Sequence, residues 1–223
     1  MGIFANEGGG STEFEQLPVG SWNATCYKIA DLGTSMTEFK GESKKQHQVS
    51  LFFEVRDKLT TDGRPMSIFN KYTLSLHEKS KLRQHLQQWR NKPFTQEELL
   101  GFDLQNVLGV SCKIEVAENA NGNSKIVGIY TAEGGSKKVP TVNECVMFDL
   151  EEYCKEWTGP TAKSKAMCDV FEGLPRFMQF QIVGDEGSAI PPCFEVQAAQ
   201  KKGGDKPKTQ APSKEFFDDD IPF

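Results

Sequence analysis

QHQVSLFFEVR, residues 46–56, decides the fold class. Val49, Leu51, Phe53 and Val55 fall on one side of this run, and Gln48, Ser50, Phe52, Glu54 and Arg56 on the other. A repeat of two residues is the signature of a strand with one buried face. Thr61-Asp62-Gly63-Arg64 follows as a turn signal, because Asp-Gly tolerates positive φ. PMSIFNKYTLS, residues 65–75, then reads as the returning strand. Met66, Ile68, Tyr72 and Leu74 share one side; Ser67, Phe69, Lys71 and Thr73 share the other. Two rings, Phe52 and Phe69, thus stand on the otherwise polar faces of neighbouring strands.

Outward from this pair, residues 21–31 (SWNATCYKIAD) mix aromatic and β-branched residues and predict an earlier strand. Residues 34–45 are polar, with Gly41 and two adjacent lysines, and predict a long loop. Downstream, Leu82, Leu86 and Trp89 recur at helical spacing within residues 78–90. Thr95-Gln96-Glu97-Glu98 has the form of a capping box opening a second short helix. Residues 111–118 alternate again, Asn121-Gly122 is a hairpin signal, and residues 125–132 return. Three strands, a helical connection and two further strands are the order of an OB fold. A sandwich would usually need more strands. The expectation is therefore a mainly β fold: a five-stranded OB-fold barrel over residues 20–132 with a helix between strands 3 and 4.

The flanks differ in character. Residues 1–19, with Gly8, Gly9, Gly10 and Pro18, read as an irregular N-terminal arm. Residues 133–197 form a C-terminal extension, acidic and aromatic over 142–157. Within it, residues 171–183 predict a short amphipathic helix with Leu174, Phe177, Met178 and Ile182 on one side. Barrel packing and a protein interface both remain open as its role. Residues 198–214 (AAQKKGGDKPKTQAPSK) hold no apolar residue larger than alanine and read as a flexible linker. Residues 215–223 form an acidic tail, expected to be disordered.

The chain has 223 residues, 37% hydrophobic and 26% charged, enough for one core with extensions. No apolar run approaches the length of a membrane span, and MGIFANEGGGSTEF lacks the basic and apolar regions of a secretory signal. An intracellular protein without membrane association is expected. Six cysteines, none in a C-x-x-C pair, and three histidines without ligand or triad spacing point to no metal and no cofactor. No P-loop or nucleophile motif points to an enzyme.

Net charge is −5, but unevenly spread. Residues 22–92 hold 13 Lys and Arg against 7 Asp and Glu; residues 93–193 hold 8 against 15. Screening confines a field to ~8–10 Å, so the basic stretch can act as an anion surface despite the total.

The tail ends EFFDDDIPF. Ile221 and Phe223 lie beyond the linker, where packing does not require them, and Pro222 limits the entropy lost on docking. Asp218, Asp219 and Asp220 suit basic rims around an apolar pocket. DDDIPF resembles the acidic C-terminal tip of bacterial single-stranded DNA-binding proteins, which recruits replication and repair proteins. Over about residues 3–142 the chain also resembles a family of phage-encoded single-stranded DNA-binding proteins with OB folds. That resemblance rests on NEGGGSTEF (6–14), KIADLGT (28–34), DGRPMSIFNKYTLSLHEKSKLRQHL (62–86) and WRNKPFTQEELLGFDLQNVLG (89–109). Asn91 stands where the family often has Gly, and residues 143–197 match less well, so the resemblance implies nothing there.

The resemblance implies a coat protein for single-stranded DNA in phage replication, recombination or repair, in the cytoplasm of an infected bacterial host. Host or phage replication and repair proteins would be its partners through the tip. Binding without sequence preference needs rings for stacking and cations along the phosphates. Stacking is expected from Phe52, Phe69, Tyr130 and Phe39. Phosphate contacts are expected from Lys44, Lys45, Arg56, Lys71 and Lys113. Trp22, Tyr72 and Trp89 go to the core. An aromatic on a strand can equally be sheet covering, and a lysine plain surface. A recombination mediator or annealing protein, and an adaptor that captures repair proteins without binding DNA, are the rival readings. Homo-oligomerisation stays open.

Overall fold

A computed structural model describes residues 15–39, 41–185 and 190–203. Five strands build the main sheet: β1 (Gly20–Phe39), β2 (Glu42–Leu59), β3 (Pro65–Thr73), β4 (Ser111–Glu118) and β5 (Ser124–Thr131). Their order is β3-β2-β1-β4-β5, with every neighbouring pair antiparallel. Between β3 and β4 lie α1 (Lys81–Arg90), α2 (Gln96–Leu100) and a 3₁₀ turn, Leu104–Val107. β3 and β5 approach within 8 Å between Cα atoms, and no ladder joins them among the described residues.

Local chemistry sets most of these elements. Thr95 caps α2 with the expected reciprocal pair: its hydroxyl accepts from the Glu98 amide, and Glu98 accepts from the Thr95 amide. Leu82, Leu86 and Trp89 of α1 are buried as the spacing requires. They join Leu51, Phe53, Val55, Ile114, Ile126 and Ile129 in an inner core. Two polar atoms in this core are paired: the Trp89 indole donates to the Ser111 carbonyl at 2.8 Å, and Tyr72 Oη meets His85 Nδ1 at 2.9 Å.

The expected loop over residues 34–45 is instead a hairpin arm. β1 and β2 stay paired from Thr25↔Glu54 out to Phe39↔Glu42, and Gly41, at φ +80°, lies in the turn. Thr34, Thr37 and Met36 suit a strand despite the polar composition. The ladder also carries two bulges, where Tyr27 and Leu32 are extra residues on β1. Each bulge puts two consecutive residues on one face. Tyr27 and Leu32 thereby join Ala30 on the outer side of the sheet.

That outer side is covered by residues 133–203. A strap, 137–143, crosses it: Lys137 pairs with Ser111, Arg56 Nη1 donates to the Pro140 carbonyl at 3.2 Å, and Glu54 holds its far end. β6 (Val146–Phe148) then adds a sixth strand, parallel to β1, which the sequence reading lacked. Four helices follow: α3 (Leu150–Thr158), α4 (Ala162–Glu172), α5 (Arg176–Val183) and α6 (Phe194–Gly203). Phe148, Leu150, Tyr153, Phe171, Met178, Ile182 and Val196 bury themselves against Tyr27, Ala30, Leu32 and Phe52. The extension is thus a helical layer with its own core. Residues 198–203, expected to open the linker, continue α6. Val196 and Ala199 are buried one turn apart, and Ala, Gln and Lys favour a helix around them. No described helix is long and apolar enough to cross a membrane.

Candidate nucleic-acid interface

The helical layer divides the expected site residues into three groups. Phe52 lies under it, 5% exposed, with ring centroids 6.3 Å from Tyr27 and 5.4 Å from Phe69. It packs in the outer core with Met178 and Ile182, beneath the layer and not at the surface where a base could reach it. Phe69 is half-buried, and Phe177 of α5 covers its outer side at 5.7 Å. Four rings, Tyr27, Phe52, Phe69 and Phe177, run in series from the sheet to the surface.

Lys71 and Lys28 flank this series. Lys71 Nζ donates to Gln181 Oε1 at 3.1 Å, and Lys28 Nζ donates to the Gly173 carbonyl at 3.1 Å while lying 5.6 Å from the Phe52 ring. Burial lowers the pKa of both ammonium groups. Among the described residues neither has a carboxylate partner; each ammonium donates to a neutral oxygen, and Lys28 also lies over the Tyr27 and Phe52 rings. Gln181 Nε2 also donates to Gln48 Oε1 at 2.8 Å, tying α5 to β2.

The second group crosses the uncovered part of the sheet. Tyr130 and Lys113 are paired across β5 and β4, and Lys113 pairs with Asn23 of β1. Continuing the register places Arg56 of β2 at the end of the row. Tyr130, 40% exposed, lies flat on Gly128, where a Cβ would come within 2.6 Å of its ring atoms. The Tyr130 hydroxyl and both cations of this row already have partners. Tyr130 Oη donates to Glu115 Oε2 at 3.3 Å, Lys113 is 3.5 Å from Glu133, and Arg56 is bound to Pro140.

The third group is the arm. Lys44 is exposed and 2.7 Å from Glu42; Lys45 lies over the Phe194 ring at 4.1 Å. Phe39 ends β1 opposite Glu42. The arm's base grips α6. Glu195 accepts from the Thr34 amide at 2.8 Å and its hydroxyl at 2.6 Å, while His47 Nε2 meets Asp31 Oδ1 at 2.6 Å with Nδ1 3.9 Å from Glu195. The Asp31 hydrogen bond raises the His47 pKa, against the effect of burial. Burial pushes the Glu195 carboxyl up, but the two Thr34 donors outweigh it and hold it below its ordinary value. Gly33 permits this approach: at φ +70°, a Cβ there would meet Leu150, Cys193 and Glu195 within 2.8 Å.

The tip residues Asp218, Asp219, Asp220, Ile221, Pro222 and Phe223 lie outside the described residues, as do residues 1–14 and most of the expected linker. Sequence reasoning missed Lys28, Gln48, Gln181 and Phe177. It placed Phe177 on the packed side of its helix; instead Met178 and Ile182 face inward, and Phe177 is 38% exposed.

No protein-family model matches this sequence, and none of the curated proteins compared with it is similar.

Proposed function

We propose that this chain binds single-stranded DNA without sequence preference, coats and protects it during phage replication or recombination, and recruits other proteins through residues 218–223. The strand order β3-β2-β1-β4-β5, with the helices entering between β3 and β4, carries this reading. That order supports an OB-fold reading, and in OB folds the strand 2–3 face and the adjoining loops hold oligonucleotides. Lys71, exposed, and Lys28, half-buried, stand with a surface ring, Phe177, and so offer the two kinds of interaction that an unpaired strand needs. The hairpin arm carries Lys44 and Lys45 beyond the sheet, within reach of the phosphates. DDDIPF, attached through residues 204–217, offers aspartates and an aromatic group to a basic, apolar pocket on a partner.

The reaction is association alone. Coating melts secondary structure in the strand and denies nucleases access to it. The test is protection of a labelled dT oligomer from a single-strand nuclease, with a duplex competitor. Protection that survives excess duplex supports the reading. Absence of protection at any protein concentration would leave the adaptor reading instead.

A further inference from the structure

The layer that hides Phe52 leaves one ring exposed directly above it. Phe177 is the outermost of four rings in series, with centroid steps of 6.3, 5.4 and 5.7 Å. Its inner face is supported by Phe69, and its exposed side is available. Beside it stands Lys71, surface-exposed at its tip, bound only to a neutral amide. An exposed ammonium held by a neutral amide oxygen can exchange that oxygen for a phosphate oxygen, which adds the counter-charge. From Lys71 the same face of β2 and β3 continues over Gln48, Thr73 and Gln46 to Lys44 on the arm, with Thr73 Oγ1 donating to Gln46 Oε1 at 3.4 Å. The length from Ser50, opposite Lys71, to Lys44 is about 20 Å at ~3.3 Å per residue. Among the described residues, the carboxylate paired along it is Glu42, exposed beside Lys44.

Resting on the single-strand reading above, we propose that α5 rebuilds the stacking face it covers. Phe177 takes a base, Lys71 takes the adjacent phosphate, and the strand runs on over Gln48 and Gln181 toward Lys44. The extension is then a structural part of the nucleic-acid site, which completes the sheet rather than blocking it. The competing row, Tyr130 with Lys113 and Arg56, is the poorer path. Glu115 and Glu133 put negative charge beside its ring and its lysine, and Arg56 is already engaged. Lifting the layer to free Phe52 would expose Tyr27, Met178 and Ile182 together.

The experiment titrates labelled dT oligomer with the full chain by fluorescence anisotropy at several salt concentrations. Phe177→Ala is expected to weaken binding about tenfold, and Tyr130→Ala to stay within about twofold of wild type. Lys71→Ala is expected to lower the slope of log K against log salt by about 0.7. Phe177→Trp adds a reporter that keeps a large ring on Phe69, and its emission is expected to fall on saturation with dT. If wild type binds while Phe177→Ala and Lys71→Ala bind equally well, and the tryptophan emission does not change, this path is overturned and the single-strand reading stands. If wild type itself does not bind, that reading falls and this inference with it.

Discussion

Glu54 is the residue on which the covering layer turns. Its side chain is fully buried, and it accepts from the Val142 amide at 3.0 Å, the Asn143 amide at 2.7 Å and Asn143 Nδ2 at 2.6 Å. Three N–H donors thus converge on one carboxylate at the point where the strap crosses the sheet. Glu54→Ala leaves all three without their acceptor. A hydrogen bond to a charged group contributes about 1.5–3 kcal/mol, but Val142 is exposed and water can reach part of the gap. The net loss is therefore about 3 kcal/mol, below the roughly 4.5 kcal/mol at the low end of the sum. For a domain of this size that is a fall in Tm of about 6–12 °C. Glu54→Gln keeps one acceptor oxygen but turns an NH₂ toward one donor, and is expected to cost about half as much. Urea unfolding with matched m-values measures the difference, and limited proteolysis reports whether the strap at 137–143 becomes the first site cut. If Glu54→Ala stays within about 0.5 kcal/mol of wild type, the strap is not anchored as described.

Other consequences are as direct. Gly33→Ala introduces both a strained φ and a Cβ that meets three side chains, so unfolding should show a loss of at least about 2 kcal/mol, with α6 the most loosened element by hydrogen exchange. The His47 imidazolium is favoured by Asp31 and Glu195; its folded pKa lies above the unfolded value of about 6.5. Its contribution is therefore complete below that value and lost as pH rises through the folded pKa. The stability gap between wild type and His47→Asn should accordingly be larger at about pH 5.5 than at about pH 8.5; a gap that widens with pH would reverse the assignment. On the proposed single-strand reading, removing residues 215–223 should tighten dT binding at low salt and leave it unchanged at high salt, since the aspartates would compete with DNA for the same cations. Equal affinities at both salt concentrations would remove that idea.

The elements governed by neighbours in sequence were legible before the structure. The alternation of residues 46–56, the Thr95 capping box and the α1 stripe all depend on side chains within a few residues. β4 was read to its final boundaries. What failed depended on distant contacts. The arm at 34–45 looked like a loop because its residues are polar, yet its strands pair with each other and α6 supports its base through Glu195. The Tyr27 and Leu32 bulges break the period of two, so β1 did not announce its outer face. Residues 198–203 lacked large apolar side chains, but a helix needs only Val196 and Ala199 to dock there. Phe52 and Phe69 were correctly placed on the outer face. That the face is covered followed only from the packing of residues more than ninety positions away.

The account rests on the chain binding unpaired strands through cations and rings. The most direct measurement is anisotropy of a labelled dT oligomer with the full chain at low and physiological salt. The account predicts tight binding that weakens steeply as salt rises, with a linear log–log slope. No change in anisotropy even at low salt would contradict it.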